Sequence, residues 1–404
     1  MKKLFLVIKN IFFKRYIIIF TSICLLLLSN LIAFTVFRSL ASTFEGSKYV
    51  SSLSSSHQIL GNLDEDNDFE KLGSLDAEKS NAIINYLNEE LDYGINFNGG
   101  GTDFSIDNID AALYMYNKKS FAFQHLPVIE GTTFDEIDFN REQKEVLVGH
   151  AIGRKTPIGS EITITNPLTQ ASETVTAVGI LDQNLYIPNN YALDSKEYLN
   201  YAIIYPLSDK LPTDIPSGIL IEGLGNIILD DNDQVIKNLQ SFLSDTAGIN
   251  LNFFTQESNN GDFYDFYIQN IIQMLLVSGI ILIMMLIVMI WNALISFRLM
   301  IKEITIHMMV GLSYQDFKRA LFIFNSLISV TSLCCLYILI AMNRLNGMSM
   351  EMPSSITINS LGLIGIDWIG IALVALINLF IVFIETNIIV HKIKKIPISI
   401  GVLS

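Results

Sequence analysis

Four stretches of this 404-residue chain carry no Asp, Glu, Lys or Arg and are almost wholly apolar: 16–37, 266–297, 320–343 and 368–384. No other feature restricts the fold as much. A helix needs about 20 apolar residues to cross the roughly 30 Å hydrocarbon layer of a bilayer. Inside that layer only helices and closed barrels satisfy their backbone hydrogen bonds. The first three stretches meet the length outright. The fourth is shorter; Asp367 and Glu385 at its ends are placed at the two membrane interfaces, and Ile388 to Val390 extend it. The chain therefore reads as a membrane protein with four transmembrane α-helices, at 16–38, 266–297, 320–343 and 367–390. The first is read as a retained anchor. Its apolar run exceeds the roughly 7–15 residues of a cleaved signal core, and no A-x-A-like site follows it closely.

Basic residues near the spans set the orientation. Lys2, Lys3, Lys9, Lys14 and Arg15 precede the first span. Arg298, Lys302, Lys318 and Arg319 lie between the second and third, and Lys392, Lys394 and Lys395 follow the fourth. With four spans all three groups fall on one side, the cytoplasm. The N-terminus (1–15), the loop 298–319 and the tail 391–404 are thus expected inside, and 39–265 and the short loop 344–366 outside. The basic residues of 1–15 alternate with Leu4, Phe5, Val7, Ile8, Ile11 and Phe12, an amphipathic pattern expected to lie along the inner surface.

Between Glu45 and Asp265 the chain carries 35 Asp or Glu against 12 Lys or Arg, a formal charge of −23. A charge of +9 is left for the rest of a chain whose net charge is −14. Such a domain argues against nucleic acid as a partner. It favours solubility and attracts cationic ligands such as basic peptides. It holds no cysteine, since Cys24, Cys334 and Cys335 all fall inside predicted spans. At about 220 residues it can hold a core without disulfides.

Short patterns indicate mixed α/β structure in the outer domain. Asp76 to Leu91 reads as a helix, with Ala77, Ile83, Ile84, Leu87 and Leu91 at helical spacing. Val235 to Leu243 reads as another. Val146–Val148 reads as a strand, and Ile162–Ile164 and Val175–Ile180 as a pair turned at Asn166-Pro167. Ala41 to Ser56 is read as a stalk continuing the first span, and Gly99-Gly100-Gly101 as a connector.

Catalytic and ligand motifs are weak. Asp64-x-Asp66-x-Asp68 opens like a calcium loop, but Phe69 and Leu75 stand where Gly and Glu are required. Gly149 to Thr156 approaches a phosphate loop, but Arg154 breaks its Gly-Lys pair. There is no G-x-S-x-G or H-E-x-x-H, and the five histidines are scattered. No enzyme activity, cofactor or metal is expected of this chain.

The loop 298–319 is more informative. Ile301, Ile304, Met308 and Met309 suggest a short amphipathic helix continuing the second span. Gly311 is placed to end it. Ser313, with Asp316 three residues on, is placed to cap the next helix. The product is a tight helical hairpin at the inner face.

One span, a large outer domain and three further spans is a layout that resembles the FtsX-like permeases of ABC transporters, in particular the MacB type. Three regions carry the resemblance. In the hairpin they are Arg298, Glu303-Ile304, Gly311 and Ser313. In the outer domain they are Glu130 to Phe134, Val146 to Gly149, Ile158 to Ile164 and Val178 to Leu181. The third is the basic tail with a proline, Lys392 to Pro397. The family often has an acidic residue early in the third span, where this chain has Asn325.

The resemblance implies a MacB-like outer domain and a non-catalytic permease working by mechanotransmission in the membrane of a bacterial cell. Its partners would be a separate cytoplasmic ATPase and a second permease copy or paralogue, with a membrane-fusion or adaptor protein as a further candidate. It also implies ATPase coupling through Arg298, Glu303, Ile304, Gly311, Leu312, Ser313 and Phe317. The expected cargo is a peptide or other amphipathic compound, exported or defended against. The alternative is a signalling protein that controls an extracellular cell-wall hydrolase.

Overall fold

The computed structural model describes residues 11–14, 16–52, 57–124, 126–188, 196–255, 257–258, 261, 264–348, 353–359 and 361–395. The first half of the chain contains α1 (Tyr16–Ser52), β1 (Gln58–Leu63), α2 (Phe69–Leu72), α3 (Ala77–Glu90), β2 (Asn96–Ile106), β3 (Ile109–Tyr116), α4 (Lys118–Gln124), β4 (Val128–Gly131) and β5 (Glu145–Val148). Then come α5 (His150–Gly153), β6 (Glu161–Thr165), β7 (Ser172–Leu181), β8 (Tyr186–Pro188), β9 (Lys196–Tyr198), β10 (Ala202–Pro206), α6 (Ser217–Leu224), β11 (Ile228–Asp230), α7 (Asp233–Ala247) and β12 (Leu251–Thr255). The chain ends with α8 (Gln269–Met309), α9 (Tyr314–Met348) and α10 (Gly365–Lys394).

These elements form two compact units. Met1–Phe44, Tyr267–Gly347 and Asn359–Ser404 make a helical unit; Glu45–Phe266 and Met348–Ile358 make a mixed one. In the helical unit α1, α8, α9 and α10 are each long and apolar enough to cross a membrane. On α8, Leu276, Ile280, Met284, Ile287 and Trp291 recur at helical spacing, and each is more than half exposed. A stripe of this kind is unstable in water and at home in lipid. The helices overrun the uncharged stretches that announce them: α1 continues through Arg38 to Ser52, and α8 through Arg298 to Met309.

Both residues placed at the membrane interfaces face protein rather than solvent. Asp367 is fully buried. Its carboxylate accepts from Arg38 Nε at 2.9 Å, from Arg344 Nε at 3.2 Å and Nη2 at 3.0 Å, and from the Ile364 backbone N–H at 3.2 Å. Glu385 lines a cavity among the helices. Charge position along a sequence gives depth along a helix but not the direction a side chain faces.

The mixed unit is built on a seven-stranded sheet of order β2-β3-β10-β5-β7-β4, with β6 paired to β7. The pairs β3–β10 and β5–β7 are parallel and the others antiparallel. Side chains alternate faces along a strand, and here both faces are covered. From β3, β5 and β10, Leu113, Met115, Val146, Val148, Ile203 and Tyr205 enter one core. The intervening Tyr114, Tyr116, Leu147 and Ile204 enter the other. A second sheet, β11-β1-β12, is antiparallel.

The helix read at 76–91 is α3, with the Asp76 side chain accepting from Lys79 N–H at 2.8 Å. Ile83, Ile84 and Leu87 are buried as expected, but Ala77 is exposed and Ser80 takes the buried place. The Gly99–Gly101 connector is instead part of β2, which pairs with β3 through two register shifts around Gly101. Glycine tolerates the bulged backbone that such shifts require.

The segment joining α9 to α10 belongs to the mixed unit. Asn184, at φ 57°, exchanges two hydrogen bonds with the Ile358 backbone: Ile358 N–H donates to Oδ1 at 2.7 Å, and Nδ2 donates to Ile358 O at 2.8 Å. Buried Asn200 donates to Asn184 Oδ1 at 2.8 Å and to Ile356 O at 3.1 Å. The two amides thus grip this segment as an edge strand would. Asn184→Gly keeps the left-handed backbone and removes the amide. Losing bonds worth about 1–1.5 kcal/mol should speed hydrogen exchange of the Ile358 amide about tenfold, measured by mass spectrometry; unchanged exchange would show that the segment is held by other means.

Candidate functional site

The candidate site is the hairpin between α8 and α9, and local sequence dictates its shape. The Gly311 N–H donates to Met308 O at 3.1 Å, and the Leu312 N–H to His307 O at 3.0 Å. Gly311 has φ +100°. This is the Schellman ending, with a left-handed glycine just past the helix. A Cβ on Gly311 would meet nothing within 4 Å, so backbone conformation alone demands glycine. Ser313 then caps α9. Its Oγ accepts from Asp316 N–H at 3.0 Å, and its hydroxyl donates to Asp316 Oδ2 at 2.8 Å. The Asp316 carboxylate also suits the positive end of the helix dipole.

Beneath the turn lies an apolar cluster. Ile304 and Phe317 are almost fully buried there with Ile11, Phe12, Met300 and Ile393, and Leu312 packs against them. Phe12 stacks on Phe324 at 4.6 Å between ring centroids. Ile11 and Phe12 thus insert into the helical unit, although the pattern of 1–15 placed them along the membrane surface; residues 1–10 and Arg15 lie outside the described residues, as does Pro397 of the basic tail.

The seven residues singled out in the loop therefore divide. Gly311, Ser313 and Leu312 set the turn. Ile304 and Phe317 anchor the hairpin to the other helices and present no surface. Arg298 is exposed. Glu303 is half-buried, with Oε1 3.9 Å from Lys14 Nζ, while no described group bonds its buried Oε2.

Sequence reasoning missed the exposed tip. Ile306, Met309, Val310 and Tyr314 all show apolar surface to solvent, and Val310 is 83% exposed. The spacing of the loop groups Met309 with the amphipathic face, but in the structure it is exposed and lies outside the cluster that holds Ile301, Ile304 and Met308. The usable signal was position: a residue beside the C′ glycine has no following turn to cover it. Lys318 and Arg319, one turn along α9 from Tyr314, are exposed too. The tip thus presents apolar side chains to solvent, with basic residues on the helix that follows.

Gly311→Ala should cost about 1–2 kcal/mol, the penalty for left-handed backbone in a residue with Cβ. The expected readout is a lower thermal midpoint for the detergent-solubilised protein; an unchanged midpoint would mean that the turn relaxes without strain.

No family model matches the chain, and no curated protein is similar to it. Two solved structures show a weak likeness. The periplasmic region of MacB from Actinobacillus actinomycetemcomitans is 14% identical over 53% of this chain and 94% of its own, with a TM-score of 0.33. The extracellular domain of the noncanonic ABC-type transporter YknZ from Gram-positive bacteria is 13% identical over 49% of this chain and 98% of its own, with a TM-score of 0.29.

Proposed function

We propose that this chain is the permease subunit of an ABC transporter, worked by a separate ATPase that seats on the α8–α9 hairpin. The observation that carries the reading is the hairpin's construction. Its turn is fixed by local hydrogen bonds and its base is anchored in the helical unit, so force applied at the tip moves α8 and α9 rather than bending the loop. The exposed Met309, Val310 and Tyr314 give a partner an apolar anchor, and exposed aromatic and apolar anchors carry most of the energy of such contacts.

Chain connectivity supports the same reading. The polypeptide passes between the helical and mixed units at 44/45, 266/267, 347/348 and 358/359, once for each long apolar helix. If each helix crosses the bilayer once, both connections in the mixed unit share one side. The hairpin and the two termini then share the other, where the basic residues make it the cytoplasm. Movement of any of the four helices reaches the mixed unit through a covalent link. In this reading the protein hydrolyses no ATP itself, resides in a bacterial cell membrane and acts as a dimer.

The cargo in this reading is a cationic, amphipathic peptide, because the segment 45–265 carries a formal charge of −23. Two experiments test the proposal. In a pull-down from the native cell, an ATPase subunit should co-purify with wild type and fall at least about tenfold with Val310→Asp, an exposed anchor replaced by a charge. Glu303→Arg serves as a second variant. Absence of any ATPase from the wild-type complex would overturn the permease reading. With the purified pair in liposomes, a cationic peptide should accelerate ATP hydrolysis, and more so at low salt. Indifference to peptide would remove the cargo assignment and favour control of an outer hydrolase.

A further inference from the structure

A cavity of about 70 Å³ lies within the helical unit, walled mainly by Ile, Leu, Met and Phe side chains. That space holds about five water molecules. Six polar side chains reach it: Ser22 from α1, Asn292 and Ser296 from α8, Asn325 from α9, and Asn378 and Glu385 from α10. Part of this set is satisfied internally. Asn292 Nδ2 donates to Ser22 Oγ at 3.0 Å, and Ser296 Oγ donates to Asn292 O at 2.7 Å.

The remainder is not. Asn378 is 1% exposed, and no described protein group bonds either its oxygen or its nitrogen. Asn325 Nδ2 is likewise buried without a described partner. Glu385 is the one ionisable side chain on the wall, and the groups that α1, α8 and α9 turn toward it are hydroxyls and amides. A carboxylate between apolar helices requires a compensating positive charge, and unpaired amides so deeply placed require polar company. The wall supplies no positive charge, and its other polar groups leave both polar atoms of Asn378 unbonded.

We infer that this cavity is a binding site for one small monovalent cation, a proton or an alkali-metal ion, with Glu385 as the neutralising group and Asn378, Asn325 and water completing the shell. The site depends on reading α1, α8, α9 and α10 as membrane spans but not on any ATPase, so it can fail while the permease reading stands. Asn378 lies about two helical turns from Glu385 on the same face of α10, so it supports the ion through water in the cavity rather than by touching the carboxylate. Phe12, Phe317 and Phe324 line the cavity and also pack in the hairpin cluster, which ties occupancy of the site to the packing that anchors the hairpin.

The test uses the full-length protein in nanodiscs of phosphatidylethanolamine and phosphatidylglycerol. Thermal midpoints of wild type and Glu385→Gln are compared across pH, and across NaCl replaced at constant ionic strength by N-methylglucamine chloride. For an alkali ion, the wild-type midpoint rises with NaCl and the variant does not respond. For a proton, the difference between the two proteins changes with pH and ignores NaCl. A difference flat in both titrations overturns the proposal. Should the Gln variant not fold, Asn378→Ala carries the test: the cation concentration at half-effect should shift by about tenfold, as for loss of a supporting ligand, and an unshifted value overturns it.

Discussion

Asp367 holds together helices that lipid by itself would not. Between apolar helices in a bilayer there is no hydrophobic drive to associate, so packing and polar contacts must supply it. The buried Asp367 carboxylate takes hydrogen bonds from Arg38 on α1 and Arg344 on α9 while residing near the start of α10. It also accepts from the Ile364 N–H, satisfying a donor left open at the helix start. Without Asp367 the two arginines would lose their shared carboxylate, whereas loss of one arginine leaves the carboxylate paired with the other. Around this clamp the helices approach closely where side chains are small. A Cβ on Gly370 would sit 3.0 Å from the Phe34 ring. Deeper in the unit, the Asn30–Ser332 bond at 3.0 Å adds a second polar tie between α1 and α9.

This arrangement gives the helical unit one clamped end and one hairpin end. Three of the four long helices, α1, α9 and α10, meet at Asp367, and α8, α9 and α10, with Ile11 and Phe12 just ahead of α1, form the cluster under the hairpin. A bundle fixed in this way transmits displacement along its axes better than it absorbs it, since packed interiors have few voids and yield little. The mixed unit receives each helix covalently, and the 353–358 segment is further gripped by Asn184 and Asn200.

What was legible in the sequence follows from what is local. Gly311 and Ser313 act on residues within five positions of themselves, so their roles could be read directly. The apolar run of β5 and the helical spacing of Ile83, Ile84 and Leu87 in α3 are equally local. Asp367 could not be read, because Arg38 and Arg344 lie more than 20 residues away on other helices, and Glu385 could not, because rotation about a helix axis is fixed by packing. The same limit separates Ile304 and Phe317, which support the hairpin, from Val310, which presents it. The glycine triplet failed for another reason: composition suited to a loop also suits a bulged edge strand, and the pairing of β2 with β3 decides between them.

In the proposed reading, movement imposed at the hairpin reaches the mixed unit. Hydrogen exchange of the protein in complex with the ATPase proposed for it, with and without a non-hydrolysable ATP analogue, is the measurement to make. Altered exchange at 353–359 and around Asn184 and Asn200 on nucleotide binding is the result this account predicts. Nucleotide binding that changes exchange in the ATPase and at 306–314 but leaves the mixed unit untouched would contradict it.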